Sequence, residues 1–201
     1  MIVPTVEPSD EALAARAAAG DDSAFETLVS RYQGRIYRLA CRLTSDTDAP
    51  DVLQETFLQL YRHLSSFRGE SRFRTWLYRI ASNAALMHRR AKARRPDASL
   101  EDFLPRFDEH GMHAATPAEL QVAARADELL DRKMLAEKAR EVIARLPDVY
   151  RDAFVLRDLE EIPTADVART LGVEPATVRQ RVHRARLMLR GYLSELVEVK
   201  S

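Results

Sequence analysis

The stretch TADVARTLGVEPATVRQRVHRARLMLRGYL, residues 164–193, decides the fold. It reads as a short helix, a tight turn and a longer helix. Val167, Ala168 and Leu171 recur on one side of the first segment, and Ala168 is small where two helices would cross closely. Thr164 is placed to cap that helix, and Gly172 suits the left-handed backbone of a tight turn. Glu174-Pro175 opens the second helix, along which Val178, Val182, Ala185, Leu189 and Leu193 form an apolar stripe. Arg179, His183, Arg186 and Arg190 lie on another face, flanked by Arg181 and Arg184, with Gln180 near the start. No acid interrupts residues 176–193. A helix of this kind laid in the major groove brings Arg to guanine and Gln to adenine, while its other Arg side chains hold phosphates. The plain alternative is an antiparallel helical hairpin with a solvated basic face. The coincidence of cap, small residue, turn glycine and acid-free helix favours DNA.

Outward from this motif the periodicity is helical throughout. The spacing predicts a short helix over 10–19, stopped by Gly20, and a second capped by Asp22 or Ser23 and running to about Leu43. A third starts at Thr47 or Asp48, with Leu53, Phe57, Leu60, Tyr61 and Leu64 as its buried stripe. Residues 65–71 form a loop. Ser71 caps a long helix from Arg72 to about Arg94, which buries Phe73, Trp76, Leu77, Ile80, Ala84 and Met87. Periodicity then stops over 96–116, where Pro96, Pro105 and Gly111 alternate with acids. Thr116-Pro117-Ala118-Glu119 is a capping box opening a helix toward Arg145, and Pro147 opens another to about Leu159. The expected fold is all-α: two small helical domains, 1–95 and 117–201, joined by an acidic flexible linker over 96–116.

Charge follows the same division. The 201 residues carry 31 Lys+Arg and 31 Asp+Glu, a formal net charge of zero. That total hides two basic blocks: eight bases and no acid over 72–95, and five arginines with no acid over 176–193. An acidic N-terminal segment and the acidic linker offset them. Basic blocks attract phosphates without regard to sequence. Aromatics interleaved with Arg72, Arg74 and Arg79 suit unpaired bases, and a loop carrying Phe67 beside Asn83 could receive a flipped nucleotide. Core packing is the plainer role for Phe73, Trp76 and Leu77, which leaves Phe67 and Tyr78 as stacking candidates.

Other chemistries have little material. A single cysteine, Cys41, excludes an internal disulfide, and its apolar setting reads as packing rather than nucleophile. His110 and His113 flank Gly111 in the linker, and no rigid helical metal site is expected there. No Ser-His-Asp order or Gly-rich loop stands out. No metal, cofactor or catalytic residue is expected, and the protein is not expected to be an enzyme. With no secretion signal at the start and no long apolar run, a cytoplasmic protein without membrane insertion is expected.

These segments together resemble the extracytoplasmic-function group of bacterial sigma factors. Asp48-Ala49-Pro50-Asp51-Val52-Leu53-Gln54-Glu55-Thr56-Phe57, Ser66-Phe67-Arg68-Gly69 and Thr75-Trp76-Leu77-Tyr78-Arg79-Ile80-Ala81 are similar to region two of that family. Leu146-Pro147, Leu171-Gly172-Val173 and residues 177–186 are similar to region four. The resemblance implies that the protein binds core RNA polymerase, through the clamp of the largest subunit and the flap of the second, and directs it to promoters. It implies polymerase contact by Asp51, Gln54, Glu55 and Arg62. It implies minus-10 recognition and melting by Phe67, Arg68, Gly69, Arg72, Arg74, Arg79 and Asn83, and minus-35 reading by Thr177, Arg179, Gln180, His183, Arg184 and Arg186. An anti-sigma factor is an implied partner, and promoter sequence does not carry over. The competing expectation is a helix-turn-helix regulator whose N-terminal domain senses a ligand or dimerises.

Overall fold

The computed structural model describes residues 8–93 and 137–198. The linker over 96–116, the Thr116–Glu119 capping box, His110 and His113 lie outside the described residues. Four helices form the N-terminal unit: α1 (Asp10–Ala18), α2 (Asp22–Leu43), α3 (Ala49–His63) and α4 (Phe73–Ala93), with a 3₁₀ turn over Leu64–Ser66. The C-terminal unit holds α5 (described over 137–144), α6 (Asp148–Phe154), α7 (Thr164–Leu171) and α8 (Pro175–Glu198). Among the described residues there is no strand, and no helix is long and apolar enough to cross a membrane.

α2 forms where its apolar residues recur at helical spacing, and Leu28, Tyr32, Ile36, Leu39 and Leu43 are all buried. Burying each aliphatic side chain contributes about 1.5–3 kcal/mol. Its cap is Asp21, one residue earlier than expected, whose carboxylate accepts from the Ala24 N–H at 3.1 Å. α3 buries more than the expected stripe. Leu60 and Leu64 are buried and Leu53 and Phe57 pack against the core as expected, and Val52 and Thr56 are buried too. Only Tyr61 departs, 63% exposed and edge-on to Phe25. Thr56 is tolerated inside because its hydroxyl donates to the Val52 carbonyl at 2.6 Å.

The cap of α4 also differs. Glu11, from α1, accepts from the Phe73 N–H at 3.1 Å, while the Ser71 hydroxyl points to the Arg72 carbonyl. Burial on α4 exceeds a single stripe, since Tyr78, Ala81, Ser82 and Leu86 are buried along with Phe73, Trp76 and Leu77. The reason is that α4 packs against α2 and α3 on one side and against α7 of the C-terminal unit on another. Met87, expected inside, is 68% exposed.

In the C-terminal unit Gly172 adopts φ +66°, as the turn requires, and the Val173 N–H closes back onto the Ala168 carbonyl at 3.0 Å. Thr164 does not cap α7; its hydroxyl accepts from Arg157 Nε at 3.2 Å. Val178, Val182 and Ala185 are buried, but the stripe ends there, with Leu193 exposed.

Candidate nucleic-acid and polymerase interfaces

The two basic blocks and the exposed α3 face present three surfaces, and the α3 face adjoins the groove beside α4, because Asp51 and Glu55 also line that groove. On α3, Asp51, Gln54, Glu55 and Arg62 are all exposed, and Leu58 lies between them on the helix surface. Glu55 accepts from the Gln59 amide at 2.7 Å, which holds its carboxylate along the helix.

Between α3 and α4 runs a groove of about 740 Å³. Arg79 and Asn83 line it from α4, and His63 and Ser66 line it from the end of α3 and the turn that follows. Asn83 is exposed there, so its amide is free to meet a base edge. The structure thus brings Arg79 and Asn83 together, immediately beside the loop that carries Phe67, Arg68 and Gly69. Arg68, Gly69 and Arg72 are exposed, and Gly69 adopts φ +71°. Phe67 is half-buried, with its ring centroid 5.1 Å from Trp76 and 5.6 Å from Phe73. It therefore covers an aromatic cluster. Tyr78 is not a stacking candidate: it is 1% exposed, and burial pushes its hydroxyl pKa up.

Arg74 is not in that groove. Its guanidinium lies 5.2 Å from the Tyr78 ring and donates to the Glu160 carbonyl at 3.0 Å, on the side facing the C-terminal unit. Three further contacts cross the same junction. Arg42 meets the Glu160 carboxylate at 2.6 Å, and Arg89 meets Asp152 at 2.5 Å and Asp148 at 3.2 Å. Sequence periodicity does not encode these pairs, which join charges 59 or more residues apart.

On α8, Arg179, Gln180, His183, Arg184 and Arg186 are exposed and Thr177 is half-buried near the α7–α8 turn. Thr177, Gln180 and Arg184 share one face by their spacing. Arg186 stands apart, forked onto Asp158 at 2.7 and 2.9 Å. Arg184 touches the Tyr150 hydroxyl at 3.3 Å. Among the described residues, no group of three His, Cys, Asp or Glu is placed to hold a metal ion. Burial pushes the half-buried Cys41 thiol up, which disfavours the thiolate.

A helical bundle with a grooved α3–α4 face, followed by a helix-turn-helix, is the arrangement of a sigma factor of the sigma-70 type. Residues 28–95 match sigma-70 region 2, and residues 136–189 match sigma-70 region 4. The ECF RNA polymerase sigma-E factor of Haemophilus influenzae is 39% identical over 192 residues, which is 94% of this chain and 97% of that one. The chain belongs to the ECF sigma factors of RNA polymerase. The solved structure of CnrH in complex with the cytosolic domain of CnrY covers 96% of this chain and 100% of its own, at 26% identity and a TM-score of 0.56. The sigma factor RpoE from Bartonella quintana, solved with the anti-sigma factor NepR, shares the fold at 22% identity and a TM-score of 0.59, over 85% of this chain and 96% of its own.

Proposed function

We propose that the three surfaces divide the work of promoter opening. The exposed α3 face, with Asp51, Gln54, Glu55 and Arg62, binds the polymerase clamp. The α3–α4 groove and the loop beside it take the melted minus-10 strand: Asn83 reads a base edge, and Arg68, Arg72 and Arg79 hold phosphates. Arg74 binds strand phosphates only when released from Glu160. Thr177, Arg179, Gln180, His183 and Arg184 read the minus-35 duplex, with Arg186 held against Asp158 to orient the helix. The domains are taken as 1–95 and 117–201, with the linker over 96–116.

The observation that carries this reading is the placement of Arg79 and Asn83 in one groove beside the Phe67 loop, on a helix different from the one that presents the duplex-reading arginines. A single-stranded site and a double-stranded site on separate helices fit promoter melting better than the duplex binding of an ordinary regulator. The protein acts in the cytoplasm, as a binding subunit rather than an enzyme. An anti-sigma protein keeps it from polymerase.

Run-off transcription with core polymerase on a genomic library tests the reading. Discrete start sites that share two upstream elements, present only when the protein is added, are the expected result. Tight, specific duplex binding by the protein alone, with no polymerase-dependent start sites, would overturn it.

A further inference from the structure

Arg35, Arg38 and Arg42 follow one another along α2 at spacings of three and four, so they share a face. Together with Arg74 and Tyr78 of α4 and Leu159 and Glu160 of the C-terminal unit, they line a cavity of about 340 Å³. Four guanidinium groups thus surround one carboxylate. Like charges gathered this closely repel unless an anion lies among them. Glu160 supplies that anion: it is 8% exposed, meets Arg42 at 2.6 Å and Arg74 at 4.0 Å, and its carbonyl accepts from Arg74 at 3.0 Å. It neutralises one charge of four. Arg35 and Arg38 are exposed and have no carboxylate partner among the described residues.

The backbone that delivers Glu160 is unusual. A π-helical turn over Val155–Leu159 precedes it, and Glu161 follows at φ +56°, a left-handed conformation that non-glycine residues rarely adopt. Two such features side by side are tolerated where the surroundings require them.

We propose that this arginine cavity is a site for the phosphodiester backbone of single-stranded DNA, and that Glu160 occupies it as an internal anion while the two units are packed together. The inference rests on the sigma-factor reading and extends its strand path across α4. The row from Arg35 to Arg42 spans about 10 Å at the rise of a helix, more than one carboxylate can satisfy and long enough for successive phosphates. The lining offers guanidinium groups and the rim of a buried Tyr78, and no open ring on which a base could stack, so the contact reads backbone and not sequence. Arg42 and Arg74 cannot hold Glu160 and a phosphate together, so strand binding and packing of the two units compete.

The test uses the full chain and two labelled probes read by fluorescence anisotropy: a dT 12-mer and an abasic phosphodiester 12-mer. Glu160→Gln is expected to bind both several-fold more tightly than the wild type. The Arg35→Ala/Arg38→Ala variant is expected to bind both several-fold more weakly, with the salt slope reduced by about 1.4, or 0.7 for each lost phosphate contact. Adding the Arg changes to Glu160→Gln removes its gain. Unchanged binding in the Arg35/Arg38 variant overturns the proposal, as does a loss confined to dT. Both arginines are exposed, so that variant remains decisive even if Glu160→Gln fails to fold. Polymerase-dependent transcription is measured in parallel with the wild type. Its absence sinks the sigma-factor reading, whereas normal transcription with strand binding indifferent to Arg35 and Arg38 sinks this inference alone.

Discussion

Arg89 of α4 forks onto Asp152 of α6, with its terminal nitrogens 3.0 and 2.5 Å from the two carboxylate oxygens. Asp152 is 4% exposed, and one of the same guanidinium nitrogens also donates to the Leu43 carbonyl at 2.9 Å. One arginine therefore ties the C-terminal end of α2, the C-terminal part of α4 and α6 of the following unit. Burial alone pushes the Asp152 carboxyl pKa up, and the guanidinium fork opposes that shift. A pair of this kind adds little net stability compared with apolar residues, but breaking it leaves a buried charge without a partner.

Arg89→Ala is therefore expected to destabilise the protein by about 3 kcal/mol, the cost of a buried carboxylate left unpaired. Urea denaturation followed by circular dichroism measures it. The double variant Arg89→Met/Asp152→Leu should recover most of the loss. If the double variant is no better than the single one, the cost lies in the Leu43 carbonyl and not in the carboxylate.

Glu11 reaches across 62 residues to the N–H of Phe73 at 3.1 Å, satisfying a donor that α4 cannot satisfy within its own first turn. Its charge also suits the positive end of that helix. Glu11→Ala should cost about 1 kcal/mol, in the range of a lost helix cap. Hydrogen exchange should show faster opening confined to the first turn of α4, and uniform acceleration across all helices would contradict the capping role.

The contrast between these contacts and the helices they join shows what the sequence encodes openly. The stripe Leu28, Tyr32, Ile36, Leu39 and Leu43 was legible because a helix with one buried face repeats every three to four residues. α4 was only half legible. Tyr78 and Ser82 looked outward because a single stripe assumes one neighbour, and this helix has neighbours on two sides. The capping residues failed for a similar reason: Ser71 and Thr164 have the right chemistry for a cap, but Glu11 reaches the first site and Arg157 engages the second hydroxyl. That Arg79 and Asn83 line one groove follows from their spacing of four on one helix. The Arg42–Glu160 pair, 118 residues apart, has no periodic or motif signature at all.

Acid stability has a local marker at the start of α2. Asp21 accepts from the Ser23 hydroxyl, Arg16 and the Ala24 N–H, and these contacts lower its pKa from 3.8 to about 2. A carboxyl lowered in the folded state contributes stability that is complete above its unfolded value and lost as pH falls through the folded one. Thermal midpoints should therefore fall between pH 4 and pH 2 by more in the wild type than in Asp21→Asn, with the two curves converging at the acid end. Parallel curves would mean that these contacts do not lower the Asp21 pKa on folding.

On the α3 face, Gln54→Ala/Glu55→Ala removes two exposed polar groups and one contact along the helix, that of Glu55 with Gln59. Exposed positions of this kind change fold stability by roughly 0.5 kcal/mol or less. Affinity for core polymerase should drop about tenfold or more in a competition assay, with the melting temperature nearly unchanged. Equal loss of fold and affinity would place the polymerase contact elsewhere.

Two arginines of α8, two residues apart, should separate reading from positioning. Arg184 is exposed on the face shared with Thr177 and Gln180, and its one protein contact described here is to the Tyr150 hydroxyl at 3.3 Å, at the long end for a hydrogen bond. Arg186 already has both forks on Asp158. Arg184→Ala should cost promoter binding about 1–3 kcal/mol and relax discrimination at one base position. Arg186→Ala should lower affinity for all promoter variants alike, and Asp158→Asn should reproduce that effect, because both changes loosen the helix without touching a base. Holoenzyme binding to a set of single-base minus-35 variants distinguishes the two patterns. A base-specific loss at Arg186 with a uniform one at Arg184 would reverse the assignment.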